Sequence, residues 1–230
     1  MMRNIKVIGF DADDTLWVNE PYFKDTEMRF RELLSPYMDG EAASAELFRT
    51  EMQNMPLYGY GVKAFILSVL ETAIRISSKK ISPEVIEQLI QIGKEQLMRP
   101  VELLDGVEET LNALVGRYRL ILVTKGDLLD QEQKLRRSGL EHLFHHVEIM
   151  SDKTEKEYKQ LLNHIDVRPE EFLMIGNSVR SDILPPLALG CHAIHVPFHI
   201  TWEHELVDES PSHTQFHTVD SLWDIIPLLP

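Results

Sequence analysis

Apolar residues fall into two rhythms along this chain, and the rhythms divide it. Five short apolar runs read as buried strands: Lys6–Phe10, Tyr118–Val123, His146–Ile149, Glu171–Ile175 and Cys191–Val196. Around the later four, apolar positions recur at helical spacing over roughly 106–116, 127–141, 154–165 and 179–189. Strands alternating with helices predict βαβ units, and so a parallel sheet covered by helices on both faces. Right-handed crossovers narrow this to a Rossmann-like, doubly wound α/β fold.

Residues 19–99 break that rhythm. Apolar positions there keep helical spacing over roughly 21–38, 41–53, 62–76 and 83–98, with no strand pattern. Ser82 is placed to cap a helix whose first turn holds Pro83. The expected organisation is a discontinuous α/β core, 1–18 and 100–230, with an all-helical domain of residues 19–99 inserted after the first strand. Pro100 disfavours helix at the residue before it and marks the return to the core. Short connections near 17–20 and 98–103 would form a hinge.

Composition narrows the partners. The chain has 230 residues with ordinary hydrophobic (43%) and charged (26%) content, enough for a substantial core. A formal charge of −14 argues against a nucleic-acid binder or docking on an anionic membrane. The one cysteine, Cys191, excludes an internal disulfide framework and suits a reducing compartment. Asp11–Asp14 interrupt the first apolar run too early for a signal peptide, and no run approaches a membrane span. A cytoplasmic protein is expected.

Chemistry concentrates where strands end. Asp11, Asp13 and Asp14 follow the first strand within four positions. Asp11 and Asp13 share one side of an extended segment, so they could hold a hard cation and leave an oxygen free to attack. A solvated acidic turn with Asp14 as helix cap is the other reading. In an open α/β sheet, ligands bind beyond the carboxyl ends of the strands, so the other ends bear on this choice. The second strand leads into Thr124-Lys125-Gly126-Asp127, groups suited to phosphate oxygens or to capping a helix. The third leads into Asp152-Lys153-Thr154-Glu155-Lys156, and the fourth into Gly176-Asn177-Ser178-Val179-Arg180-Ser181-Asp182.

Taken in order, these residues resemble the phosphatase branch of the haloacid dehalogenase superfamily. The motifs are DxDxT at Asp11, Asp13 and Thr15, a strand-ending Thr124, Lys153, and a GDxxxD-like stretch from Gly176-Asn177 to Asp182. The resemblance extends to the helical cap inserted after the first motif. It implies a Mg²⁺-dependent phosphatase acting on a small phosphorylated metabolite through an aspartyl-phosphate. Asp11 would be the nucleophile. Asp13 would be the acid and base for leaving alcohol and water, with its backbone carbonyl on the metal. Thr124 and the Lys125 amide would bind the phosphoryl group, and Lys153, with Lys156 as runner-up, would offset its charge. Asp11, Asp13, Asn177 and Asp182 would make the metal shell.

One departure stands out: the family pattern carries Asp where this chain has Asn177, an uncharged oxygen donor. A catalytically quiet phosphate-ligand-binding protein is therefore a rival reading. Carbon–halogen hydrolysis is another, disfavoured because halide needs no proton on leaving and Asp13 would then be idle. A phosphonatase would need a Schiff-base lysine from the cap, for which Lys24 and Lys63 are the available candidates. The Leu57-Tyr58-Gly59-Tyr60-Gly61 segment could close over a substrate or simply pack as a turn. Trp17, Asn19 and Tyr22 could line the same cavity, with Trp17 otherwise packing the hinge. Arg180 is expected in a structural pair with a carboxylate. The ten histidines, including His142, His145 and His146 and His192, His195 and His199, show no zinc-site spacing. Residues 197–205 fall near the rim without a decided role.

Overall fold

A computed structural model describes residues 2, 4–207 and 211–230; positions 1, 3 and 208–210 of the expected core lie outside the described residues. The chain divides into two compact units, one of Met1–Glu20, Val101–Lys125 and Gln131–Pro230, the other of Pro21–Pro100 and Gly126–Asp130.

The first unit is built on a six-stranded parallel sheet. Its strands are β1 (Val7–Phe10), β2 (Arg119–Lys125), β3 (His146–Met150), β4 (Phe172–Gly176), β5 (His192–His195) and β6 (Phe216–Thr218), in spatial order β3-β2-β1-β4-β5-β6. Side chains alternate between faces, and both faces are buried. Ile8, Phe10, Leu120, Leu122, Leu173 and Ile175 enter one core. Val7, Ile121, Val123, Phe172 and Met174 enter the other, beneath Tyr158, Leu161 and Leu162. That double burial explains why the strands read as apolar runs rather than as alternating patterns. The strand order reverses at β1, between β2 and β4, which sets the ligand crevice of a doubly wound sheet beyond Phe10 and Gly176.

β6 was not anticipated. Phe216-His217-Thr218 is a three-residue edge strand with one large apolar side chain, too short for periodicity to reveal. The helix expected over 179–189 is broken into a π-helical turn, Val179–Ile183, and a short helix, Leu184–Ala188. Pro185 and Pro186 supply no N–H there, so the hydrogen-bond ladder has to start afresh.

The second unit holds helices α1 (Glu20–Leu34, entered from the first unit), α2 (Gly40–Tyr58), α3 (Val62–Ile76) and α4 (Pro83–Met98). Ser82 caps α4 by accepting from the Val85 amide, with Pro83 in the first turn. The helices enclose their own core of Phe30, Leu34, Leu47, Phe65, Val69, Leu89 and Ile92. α2 runs past Pro56 and stops at Gly59, whose φ of +70° only glycine adopts freely. The remaining helices are α5 (Val107–Leu114), α6 (Leu128–Ser138), α7 (Glu155–His164) and α8 (Leu184–Ala188). Among the described residues, no helix is long and apolar enough to cross a membrane.

Candidate active site

The Asp11 amide donates to the Ile175 carbonyl at 2.9 Å, extending the β1–β4 ladder one residue past the strand. Its carboxylate therefore leaves the sheet at the reversal point. There it meets Lys153, delivered by the loop between β3 and α7. The Lys153 ammonium bonds Asp11 Oδ1 at 2.5 Å and Asp182 Oδ1 at 2.6 Å, and the lysine side chain is 1% exposed. One lysine between two carboxylates leaves net negative charge in a buried place. Burial and Asp182 raise the Asp11 carboxyl to about 7 against the opposing pull of Lys153. Lys153 is penalised by burial, but the two carboxylates outweigh this and hold it charged. Lys156, in the first turn of α7, instead lies exposed beside Glu157.

Thr15 ties Asp11 to the loop after β4. Its hydroxyl lies 3.0 Å from Asp11 Oδ2 and 3.3 Å from Asn177 Oδ1, and it accepts from the Asn177 amide at 3.0 Å. Asp182 packs directly over Gly176, where an added Cβ would fall 2.3 Å from the carboxylate. Asp182 Oδ2 accepts from the Ser178 amide at 3.0 Å, so both of its oxygens are engaged. His195, at the end of β5, bonds the Asn177 carbonyl at 2.9 Å through Nε2, and burial holds its imidazole below the usual histidine range.

Thr124 is buried at the end of β2. The Lys125 ammonium turns away from Asp11, to Ser181 Oγ at 2.9 Å and to Glu205. Of Lys125, the backbone is thus the part available to a phosphoryl group. Asp13 accepts from Trp17 Nε1, Lys134 Nζ and Gln131 Nε2 at 2.7, 2.7 and 2.8 Å. Asp14 does cap a helix: its carboxylate accepts from the Asn19 and Glu20 amides at the start of α1. Trp17 is fully buried, which excludes it as an open cavity wall.

Other candidates sort by their partners. Arg180 donates to the His204 carbonyl at 2.7 Å rather than to the carboxylate expected for it. Glu205 accepts from Lys125, Ser178 and Ser181, giving the 197–205 segment a structural role at the strand ends. Lys63 pairs with Asp127 at 2.8 Å and Lys24 with Glu27 at 3.2 Å, both half exposed. Neither is a desolvated amine of the kind a Schiff base needs. The Tyr58 hydroxyl donates to Glu71 at 2.7 Å. The Cys191 thiol is buried and pushed up to about 12, hence inert.

Sequence reasoning missed Gln131, Lys134 and Glu205, and assigned Thr15 no role. Gln131 and Lys134 lie three apart, on one face of α6, a spacing visible in the sequence. Nothing in the sequence says that this face meets Asp13.

Among the described residues, no three His, Cys, Asp or Glu side chains gather as a metal site. A Mg²⁺ ion would draw on donors different in kind: the Asp11 carboxylate, a backbone carbonyl at Asp13 and the Asn177 amide oxygen. All are hard oxygens, Asp11 and Asn177 converge on one hydroxyl, and the buried charge is negative. Mg²⁺ keeps several waters, so so few protein ligands fit it.

Residues 5–190 match the family model described as haloacid dehalogenase-like hydrolase. A haloacid dehalogenase-like family hydrolase from Xanthomonas campestris superposes with a TM-score of 0.89 at 37% identity, covering 98% of this chain and 91% of that one. The glyceraldehyde 3-phosphate phosphatase of Methanothermobacter thermautotrophicus is 26% identical over 211 residues, 86% of this chain and 88% of its own length. A 2-haloacid dehalogenase from Pseudomonas syringae shares the fold at a TM-score of 0.65 and 19% identity, with 98% of each chain covered. The chain belongs to the haloacid dehalogenase-like hydrolases.

Proposed function

We propose that this hydrolase is a Mg²⁺-dependent phosphatase that cleaves a small phosphate monoester through an aspartyl-phosphate on Asp11. The observation that carries the reading is a second carboxylate, Asp13, two residues beyond Asp11 and furnished with its own donors. A halide leaves without a proton, whereas an alkoxide needs one.

In the first half-reaction a carboxylate oxygen of Asp11 bonds to phosphorus as the ester P–O bond breaks, and Asp13 passes its proton to the departing oxygen. In the second, Asp13 takes a proton from water as the water oxygen bonds to phosphorus and the bond to Asp11 breaks, releasing phosphate. Lys153 stays charged beside Asp11 and offsets the negative charge of the transferring group. The Thr124 hydroxyl and the Lys125 amide bind its oxygens. Mg²⁺, held by Asp11, Asn177 and the Asp13 carbonyl, would supply positive charge to the phosphoryl oxygens. Asp182, with its oxygens engaged by Lys153 and the Ser178 amide, serves as the counter-charge that fixes Lys153. The helical segment 19–99 acts as the cap that selects the leaving group.

The resemblance to a glyceraldehyde 3-phosphate phosphatase puts triose phosphates first in the substrate class. The test is phosphate release with Mg²⁺ from p-nitrophenyl phosphate, glyceraldehyde 3-phosphate, glycerol 3-phosphate and phosphoglycolate. Wild type should turn over p-nitrophenyl phosphate and at least one alkyl ester, and Asp11→Asn should lose on the order of a thousandfold or more. Equal turnover by Asp11→Asn would overturn the mechanism. Folded wild type inert on all four would favour a protein that binds phosphate ligands without turnover, the reading suggested by Asn177.

A further inference from the structure

Asp13 is held more tightly than a proton carrier needs to be merely to exist at this rim. Its Oδ1 accepts from the Trp17 indole N–H and the Lys134 ammonium, both at 2.7 Å, and its Oδ2 from the Gln131 amide at 2.8 Å. The donors are themselves anchored. Trp17 is fully buried. Gln131 also donates to the Lys125 carbonyl at 3.2 Å, at the end of β2. Lys134 also reaches Asn19 Oδ1 at 3.2 Å, and its side chain is only 13% exposed. A carboxylate offers about four lone-pair directions. Three are occupied here, and the one left open is on Oδ2.

We infer that Lys134 is a positioning residue for leaving-group protonation: it pins Asp13 Oδ1 so that the proton is carried on Oδ2 and aimed at the departing oxygen. This rests on the phosphatase reading above. In the step concerned, the ester P–O bond breaks and its electron pair stays on oxygen. The Asp13 Oδ2–H bond then breaks to form the alcohol O–H, and the carboxylate left behind sits against the Lys134 ammonium. Lys134 touches neither phosphorus nor the leaving group. Gln131 and Trp17 share the same task, but only Lys134 brings a charge to the anion that the step creates.

The consequence is a dependence on the leaving group that a merely structural lysine would not produce. p-Nitrophenolate departs without a proton; an alkoxide does not. kcat/KM covers the steps up to transfer to Asp11 and so isolates the acid role from the later base role. Lys134→Met keeps the aliphatic stem and removes the charge. It should lower kcat/KM about tenfold or more for the alkyl esters named above, while p-nitrophenyl phosphate stays within about twofold. Lys134→Arg should restore most of the loss, and Lys134→Gln carries the same comparison if the methionine variant does not fold by circular dichroism. A loss equal for both ester types, or no loss for either, overturns the role of Lys134 and leaves the phosphatase reading standing. Wild type that hydrolyses neither overturns both.

Discussion

Asp14 sits at φ +62° directly after the proposed acid–base residue Asp13, yet its work is mechanical. A carboxylate in the left-handed region can turn back on the chain, and here it accepts the first amides of α1. Burial pushes its carboxyl up to about 8, against the pull of the Asn19 and Glu20 amides. Asparagine keeps the acceptor and tolerates the same backbone. Asp14→Asn should therefore melt at or above the wild-type temperature at neutral pH, whereas Asp14→Ala should cost about 1 kcal/mol. A raised carboxyl contributes stability that is complete below its ordinary 3.8 and lost as pH rises through about 8. The advantage of the Asn variant should then grow as melts are repeated upward from about pH 5. An Asn variant that melts as low as Ala would count against the cap. The capping role belonged to one of two readings open in the sequence, a solvated acidic turn with Asp14 as helix cap, the other being a cation site at Asp11 and Asp13.

The elements around the site are joined by a buried acidic residue outside every motif. Glu205 ends the short turn Glu203–Glu205 and accepts from Lys125 at the end of β2 and from Ser178 and Ser181 after β4. Burial alone would raise its carboxyl, but the charge of Lys125 and the three donors hold it at about 2. Its contribution is present above the ordinary 4.5 and is lost as pH falls toward about 2. Glu205→Ala removes the buried carboxylate that Lys125, Ser178 and Ser181 share and should cost about 3 kcal/mol in urea unfolding. Adding Lys125→Met should return part of that cost, since the charge that Glu205 balanced goes with it. Strictly additive losses in the double variant would mean that the pair is not coupled. None of this was legible at the sequence level. Residues 197–205 carry no periodicity, and Lys125 and Glu205 are 80 positions apart. Gly176 is a related case: it reads as part of a motif, but its reason is the Asp182 carboxylate lying where a Cβ would be.

For the molecule as a whole, a buried excess of negative charge should make the folded state a better cation binder than the unfolded chain. Mg²⁺ at about a hundredfold excess over its Kd would add about 2.7 kcal/mol. For a chain of this size that is a rise in Tm of about 5–10 °C. Asn177→Asp should enlarge the rise at equal Mg²⁺ by adding a charged oxygen. Calorimetry showing no Mg²⁺ shift in wild type would remove the ion from the site. A shift unchanged in the variant would remove Asn177 from its shell. The chain by itself determined the α/β core, the helical insert and the residues that follow the strands, because these are written in local periodicity and because a parallel sheet gathers its carboxyl ends at one edge. Only the tertiary structure decided who holds whom. It set Lys153 between Asp11 and Asp182, Lys134 on Asp13, and Lys125 turned to Glu205. Lys153 lies 142 positions from Asp11 and Lys134 121 from Asp13. Such pairings follow from which helix face and which loop the packed core turns toward the strand ends, and local pattern carries no record of that.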